Sequence, residues 1–413
     1  MEQEKSYKQM SREERGEDIV NRFKIVKTPR GWRVPSTSHA GNSYLVTFNG
    51  HEPKCNCADC ELRKKKCKHI HAVEFYIKKE IDEEGKITQT KGVKITYSQN
   101  WKAYDKAQTN EKLIFMKLLK DLCENVEQPK YKFGRPTLPI SEMLFASALK
   151  VYSTFSLRRF ISDMKIAQVM NMVDVVPNFM TISNFMNKEE LTNILKELIS
   201  ISASPLREVE TDFAVDSSGF STSRFARWYD TKWGKERKFK VWIKAHLISG
   251  VKTNIITGCE VTEADCHDSP QLSHLVEETA KNFKVSEVSC DKAYSSRMNL
   301  ELIENAGAVP YIPFKKNTSG KRVKNRTLGT WGRMYHYFMY KHEEFLEHYH
   351  KRSNAETVFS SMKAKFKDNL RSKGKTAQIN ELLLKVLCYN ICVVIQEISE
   401  LGIKGEFVVE DKG

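Results

Sequence analysis

Four residues of the stretch "YHKRSNAETVFSSMKAKFKDNL" (349–370) carry reactive side chains at a helical repeat. Tyr349, Arg352, Glu356 and Lys363 follow one another at steps of three, four and seven, which return to nearly one face of an α-helix. That face would hold a phenol, two cations and one carboxylate, with Ala355, Val358, Phe359 and Met362 as an apolar stripe beside it. Two more acids stand at the ends of strand-like runs. Asp216 closes "FAVD" ahead of Ser217, Ser218 and Gly219, and Asp291 follows "KVSEVSC". A sheet can bring two strand-end aspartates together, and a helix packed across it can add Glu356. Three such carboxylates suit two divalent cations held ~3.5–4 Å apart, which activate a water or a 3′-hydroxyl and stabilise the leaving oxygen in phosphodiester transfer. Mg²⁺ or Mn²⁺ match an all-oxygen donor set. Composition alone does not single these acids out. An Asp at a strand end is ordinarily a turn former, and Asp212 and Asp230 compete for the first position.

A second constellation is "CNCADCELRKKKCKHIHA". Cys55, Cys57, Cys67 and His69 form a Cys-x-Cys and a Cys-x-His pair, which suits one tetrahedral zinc ion with no open position, hence a structural site. Cys60 or His71 can replace one member of the set. A module of this size has little core of its own, which is what a metal offsets.

The 413-residue chain carries a formal charge of +15. Its length predicts two or three domains, and its charge predicts a polyanionic partner. There is no 18-residue uncharged apolar run and no apolar secretory segment in "MEQEKSYKQM", so neither a membrane span nor a signal peptide is expected. Ten dilute cysteines point to a reducing, intracellular setting.

The elements that must position these groups follow from periodicity. Residues 1–20 are polar and expected to fray. "FKIVKTPRGWRVPSTSHAGNSYLVTF" predicts a small antiparallel sheet, "IHAVEFYIKKEI" a short helix, and 80–100 a linker. Helices are expected from about Trp101 to Ile201, with a helix-turn-helix whose recognition helix starts near Thr181 or Ser183 and presents Asn184 and Lys188. Three strands, then helix, strand, helix and strand over 208–312, predict a mixed sheet covered by helices. Residues 313–341 contain eight Lys or Arg and no Asp or Glu, a candidate surface for a DNA backbone.

The motifs also carry two resemblances. "AVDSSGF", "CDKAYSS" and "YHKRSNAETVFSSMK", the last matching Tyr-x2-Arg-x3-Glu-x6-Lys, resemble the DDE transposases of bacterial and archaeal insertion sequences over roughly residues 130–400. That resemblance implies a ribonuclease H-like core. Asp216, Asp291 and Glu356 would be the catalytic ligands of two Mg²⁺ or Mn²⁺ ions, and Tyr349, Arg352 and Lys363 would grip DNA. It further implies double-stranded transposon-end and target DNA as partners, cleavage and joining of 3′-OH ends, and a homodimer or higher oligomer. The setting would be a prokaryotic cytoplasm, at the nucleoid. Alternatives are a nuclease on the same core or a transposase-derived DNA-binding protein. Some relatives insert a β-rich segment between the second and third acids, with an aromatic that supports a flipped base. Asp291 and Glu356 are only 65 positions apart here, and Trp331 is either that aromatic or a core residue. Residues 30–75 resemble a SWIM zinc finger, which implies DNA or protein binding. The expected organisation is multidomain α/β: a zinc module at 1–80, a helical DNA-binding region at 81–205 and the catalytic domain at 206–400.

Overall fold

The structure, a computed structural model, describes residues 10–37, 42–50, 52–88, 100–130, 137–222, 242–315, 318 and 329–407. In chain order its elements begin with α1 (Arg12–Arg22), β1 (Val26–Thr28), β2 (Gly31–Pro35), β3 (Ser43–Phe48), β4 (Pro53–Cys55), α2 (Ala58–Arg63) and α3 (Lys68–Thr88). The helices α4 (Trp101–Glu124), α5 (Ile140–Ser153), α6 (Leu157–Val169), α7 (Phe179–Met186) and α8 (Glu190–Ala203) come next. Then β5 (Asp212–Ser221), β6 (Trp242–Gly250), β7 (Ile256–Glu263), α9 (Leu272–Asn282), β8 (Glu287–Cys290), α10 (Arg297–Asn305) and β9 (Val309–Tyr311) alternate. The chain finishes with α11 (Thr330–Tyr340), α12 (His342–Tyr349), α13 (Ser353–Phe366) and α14 (Lys375–Glu400).

These elements form two compact units: residues 1–97 with 313–348, and residues 98–312 with 349–413. The first contains the antiparallel sheet β1-β2-β3-β4. Of the stretch expected to fray, residues 1–9 lie outside the described residues and the rest leads into α1. Ser11 and Glu14 form a reciprocal capping box on α1, and Arg12 grips Asp59 through two hydrogen bonds of 2.9 and 3.0 Å. Gly16 permits a close approach of α1 to α3, since a Cβ there would lie 2.6 Å from the His71 Cβ. Helix α3 continues to Thr88, well into the stretch expected to be linker. Segment 313–348, which separates Asp291 from Glu356 in sequence, is part of this unit. Tyr340 of α11 meets Trp32 edge-on at 5.4 Å and stacks on Phe48 at 5.1 Å between ring centroids. Trp331 is half-buried and packs edge-on against Phe314.

The second unit is built on a five-stranded mixed sheet of order β7-β6-β5-β8-β9. β5 is antiparallel to β6 and parallel to β8. α13 packs on the face that carries Asp216 and Ser218, and α9 covers the opposite face through Gly258 and Leu275, as the alternation of side chains along a strand requires. α14 is the axis of a helical layer made with α4, α5 and α8. It is the one helix among the described residues long and apolar enough to cross a membrane, but most of it is buried inside this unit. Its Asn390 pairs with both the N–H and the C=O of Ile256 on the outer strand β7 (2.9 and 2.7 Å), which satisfies backbone groups an edge strand otherwise exposes.

Two buried charges on α14 hold the loop that follows α13. Lys385 donates to the carbonyls of Lys367 and Asn369 at 2.9 and 2.8 Å. Glu381 accepts from the N–H groups of Arg371 and Ser372 at 3.0 and 2.7 Å. Burial pushes the Lys385 ammonium down to about 8, partly countered by Glu381. A lysine bound less tightly to its proton in the folded than in the unfolded chain adds stability as pH rises from about 8 toward its ordinary 10.5. Lys385→Met should therefore flatten that rise. At neutral pH it should also cost on the order of 2 kcal/mol, since the carbonyls of Lys367 and Asn369 lose their donor. Urea unfolding of both proteins at several pH values measures the two effects.

Candidate active site and metal cluster

The parallel pairing of β5 with β8 places Val215 opposite Cys290. Asp216 and Asp291, the next residue on each chain, therefore stand side by side where the two strands part, about one strand spacing (~4.8 Å) apart in backbone. Each accepts a hydrogen bond from the N–H of its own successor, Ser217 at 2.8 Å and Lys292 at 2.7 Å. For Asp291 that bond also caps a short 3-10 turn. Both aspartates are half-buried.

The third acid arrives from α13. The stretch from Tyr349 to Lys363 is not one α-helix: Tyr349 ends α12, residues 350–352 form a 3-10 turn, and α13 begins at Ser353. Tertiary ion pairs explain the break. Lys351 reaches Asp212 and Glu287 at 2.6 and 2.7 Å, while its neighbour Arg352 reaches Asp216, also on β5, at 3.2 Å. The other arm of the Arg352 fork meets Glu356 at 2.6 Å. Glu356 is exposed, with 58 % of its side chain accessible against 20 % for both Arg352 and Asp216. Farther along α13, Lys363 donates to Ser218 at 2.6 Å and lies 5.0 Å from the Phe220 ring centre. Tyr349 is half-buried beside Arg352, 5.9 Å from ring centre to guanidinium carbon.

The electrostatics follow this placement. Burial pushes the Asp216 carboxyl above its ordinary range, opposed by the Ser217 N–H and Arg352 and reinforced by Glu356 and Asp291. Burial lowers the Lys363 ammonium. The far end of α13 is tied as well, because the N–H of Ser221 donates to Asp368 and the N–H of Leu370 donates back to Ser221 at 3.0 and 2.8 Å. Both ends of the helix are thus fixed to β5. The donor chemistry, carboxylate oxygens alone, is that of a hard divalent cation, while in this structure the Arg352 guanidinium joins Asp216 to Glu356.

The structure thus brings Asp216, Asp291, Tyr349, Arg352, Glu356 and Lys363 to one region of the second unit. Asp212, a competitor for the first position, is committed to Lys351; Asp230 lies outside the described residues. Glu381 and Lys385 carry no mark in the sequence. Lys351 offered only the weak signal of a third cation beside Arg352.

In the first unit, Cys55 ends β4, Cys57 caps α2, Cys67 precedes α3 and His69 lies in its first turn. All four are buried, with ligand atoms within 4.8 Å of one another. The His69 Nδ1 lies 3.8 Å from the sulfurs of both Cys55 and Cys67. Tetrahedral zinc, with Zn–S near 2.3 Å and Zn–N near 2.0 Å, places such atoms ~3.6 Å apart, so the cluster could hold zinc through Nδ1. The Cys55 thiol donating to Cys67, with help from His69, holds Cys67 below its ordinary range against burial, and pushes Cys55 up. Cys60 and His71 are not part of the group; His71 instead faces Glu74 at 3.7 Å.

The expected recognition helix differs from its outline. α7 starts at Phe179, capped by Asn178, and ends before Lys188, whose carbonyl, with that of Met186, accepts from Asn380 of α14. Asn184 and Lys188 are both exposed. Of the basic stretch 313–341, residues 316–317 and 319–328 lie outside the described residues.

A mixed five-stranded sheet flanked by helices fits a DDE, ribonuclease H-like core. Residues 207–391, a little under half of the chain, match the family model described as "Transposase DDE domain". This match supports a DDE transposase and suggests a metal-dependent enzyme that acts on DNA. No curated protein and no solved structure gives a match.

Proposed function

We propose that the protein is a DNA transposase that cleaves the ends of an insertion sequence and joins their 3′-OH groups to target DNA. The observation that supports this reading is the Arg352 fork that joins Asp216 of β5 to Glu356 of α13, with Asp291 directly after the residue that pairs beside Val215 on the neighbouring strand β8, all within the matched segment. Asp216, Asp291 and Glu356 are the residues that would hold Mg²⁺ or Mn²⁺. Bound there, such ions activate a water or 3′-hydroxyl and stabilise the departing oxygen. Arg352 has five N–H donors in a planar fork, so with one arm on Asp216 and one on Glu356 it can also engage a phosphate. Lys363, half-desolvated beside Ser218, supplies a mobile point charge, and Tyr349 a hydroxyl. Arg352→Lys should keep the charge but lose the fork, and so recover only part of the cleavage lost in Arg352→Ala. Comparing single-turnover rates of the three proteins checks this.

The Cys55, Cys57, Cys67 and His69 cluster is read as a structural zinc site of a SWIM-type module. The helices α5–α7 are read as a DNA-binding region, with Asn184 and Lys188 on their exposed surface. The catalytic domain is read as 206–400 in function, acting on double-stranded DNA as a dimer or higher oligomer at the prokaryotic nucleoid. Incubating the protein with end-containing DNA, target plasmid and Mg²⁺, and sequencing the products, tests the reading. Transposition gives 3′ ends joined to target. Cut ends without joints indicate a nuclease, and binding without cuts indicates a DNA-binding protein.

A further inference from the structure

Asp212 and Glu287 face each other across the parallel strands β5 and β8, each four residues before an acid of the site. Like charges directly opposite on neighbouring strands destabilise the pairing. Here both are met by one ammonium. Lys351 donates to Asp212 at 2.6 Å and to Glu287 at 2.7 Å from its place on the 3-10 turn, and all three side chains are between 17 % and 29 % exposed. The adjacent Arg352 reaches Asp216 on the same strand face, four residues or ~13 Å farther along β5. Two consecutive cations thus diverge along one strand and staple the turn to it at both points.

We propose that Lys351 is a positioning residue for the reaction. By neutralising Asp212 and Glu287 together it sets the β5–β8 alignment that puts Asp216 beside Asp291, and it anchors the turn from which Arg352 reaches Asp216. Lys351 touches none of the three site acids, so its effect passes through the strands and the turn. The inference rests on those acids being the catalytic centre, but its structural half can be read without activity.

The test uses the full-length protein and Lys351→Met, Lys351→Arg and the double variant Asp212→Asn/Lys351→Met. Lys351→Met should lower single-turnover cleavage ~10–100-fold, the scale of a misplacement near 1 Å, with end-DNA affinity unchanged within about twofold. Removing one of the two opposed charges in Asp212→Asn/Lys351→Met should restore most of the rate, and Lys351→Arg, whose fork can span two carboxylates, should retain it. Loss of a merely space-filling side chain would not be rescued by neutralising Asp212. In parallel, hydrogen exchange of the 287–291 amides should quicken in Lys351→Met and slow again in the double variant. Unchanged exchange in Lys351→Met, or a double variant no better than it, overturns the proposal. Should Lys351→Met not fold, near-wild-type exchange in the other two variants supports it, and faster exchange in both overturns it. If the wild type cleaves no DNA, the functional reading fails while the exchange measurements still decide the role of Lys351.

Discussion

Asp216→Asn, Asp291→Asn and Glu356→Gln should each reduce strand cleavage by at least ~10³-fold, because groups that act as a unit fail together, while end binding stays near wild type. The amides keep the shape of the side chains and remove the charge that a divalent cation requires. Folding should survive in Asp216→Asn. Burial holds the Asp216 carboxyl above its ordinary range; a group with a raised folded value contributes stability at low pH and loses it as pH rises. At neutral pH its carboxylate is therefore a cost, which Asn removes. Protonation of Asp216 competes with a bound cation, so wild-type cleavage should decline as pH falls into the carboxylate range. Rates across a pH series, with circular dichroism on each variant, measure both effects.

Replacing Cys55 and Cys57 together by Ser should remove about one zinc per chain and unfold the first unit. Structural zinc in small modules contributes apparent binding free energies of about 10–16 kcal/mol that are inseparable from folding. The four ligands tie β4 and α2 to α3, beside Val34, Val46, Ile70 and Val73 of the unit's core. Because α11 packs its Tyr340 on Trp32 and Phe48, the loss should extend to residues 330–348, which contribute no ligand. Metal analysis with amide exchange of that segment gives the result, and a metal-free protein with 330–348 still protected would contradict it.

The sheet was legible because it depends on local pattern, whereas its acids were singled out by the family resemblance. "FAVD" and "KVSEVSC" are short buried runs ended by an acid, and parallel register alone sets those acids side by side. The spacing of Arg352, Glu356 and Lys363 likewise marks one helix face. What escaped depends on partners distant in sequence. The turn at 350–352 exists because Lys351 and Arg352 find acids about 64 to 140 positions away, and helical spacing holds no trace of them. α1 looked too polar to pack, since its docking rests on the missing side chain of Gly16 and the Arg12–Asp59 pair. Segment 313–348 carried aromatic residues without a readable address; Trp32 and Phe48, some 300 positions earlier, are among the side chains that give them a core.

The central claim is that Asp216, Asp291 and Glu356 together hold the divalent cations that cleave and join DNA. Titration of zinc-loaded protein with Mn²⁺, followed by calorimetry or by electron paramagnetic resonance, tests it most directly. Wild type should bind Mn²⁺ at a site that Asp216→Asn, Asp291→Asn and Glu356→Gln each weaken by ~10-fold or more, whereas Asp212→Asn leaves it nearly intact. Equal Mn²⁺ affinity in wild type and all three site variants would contradict the account.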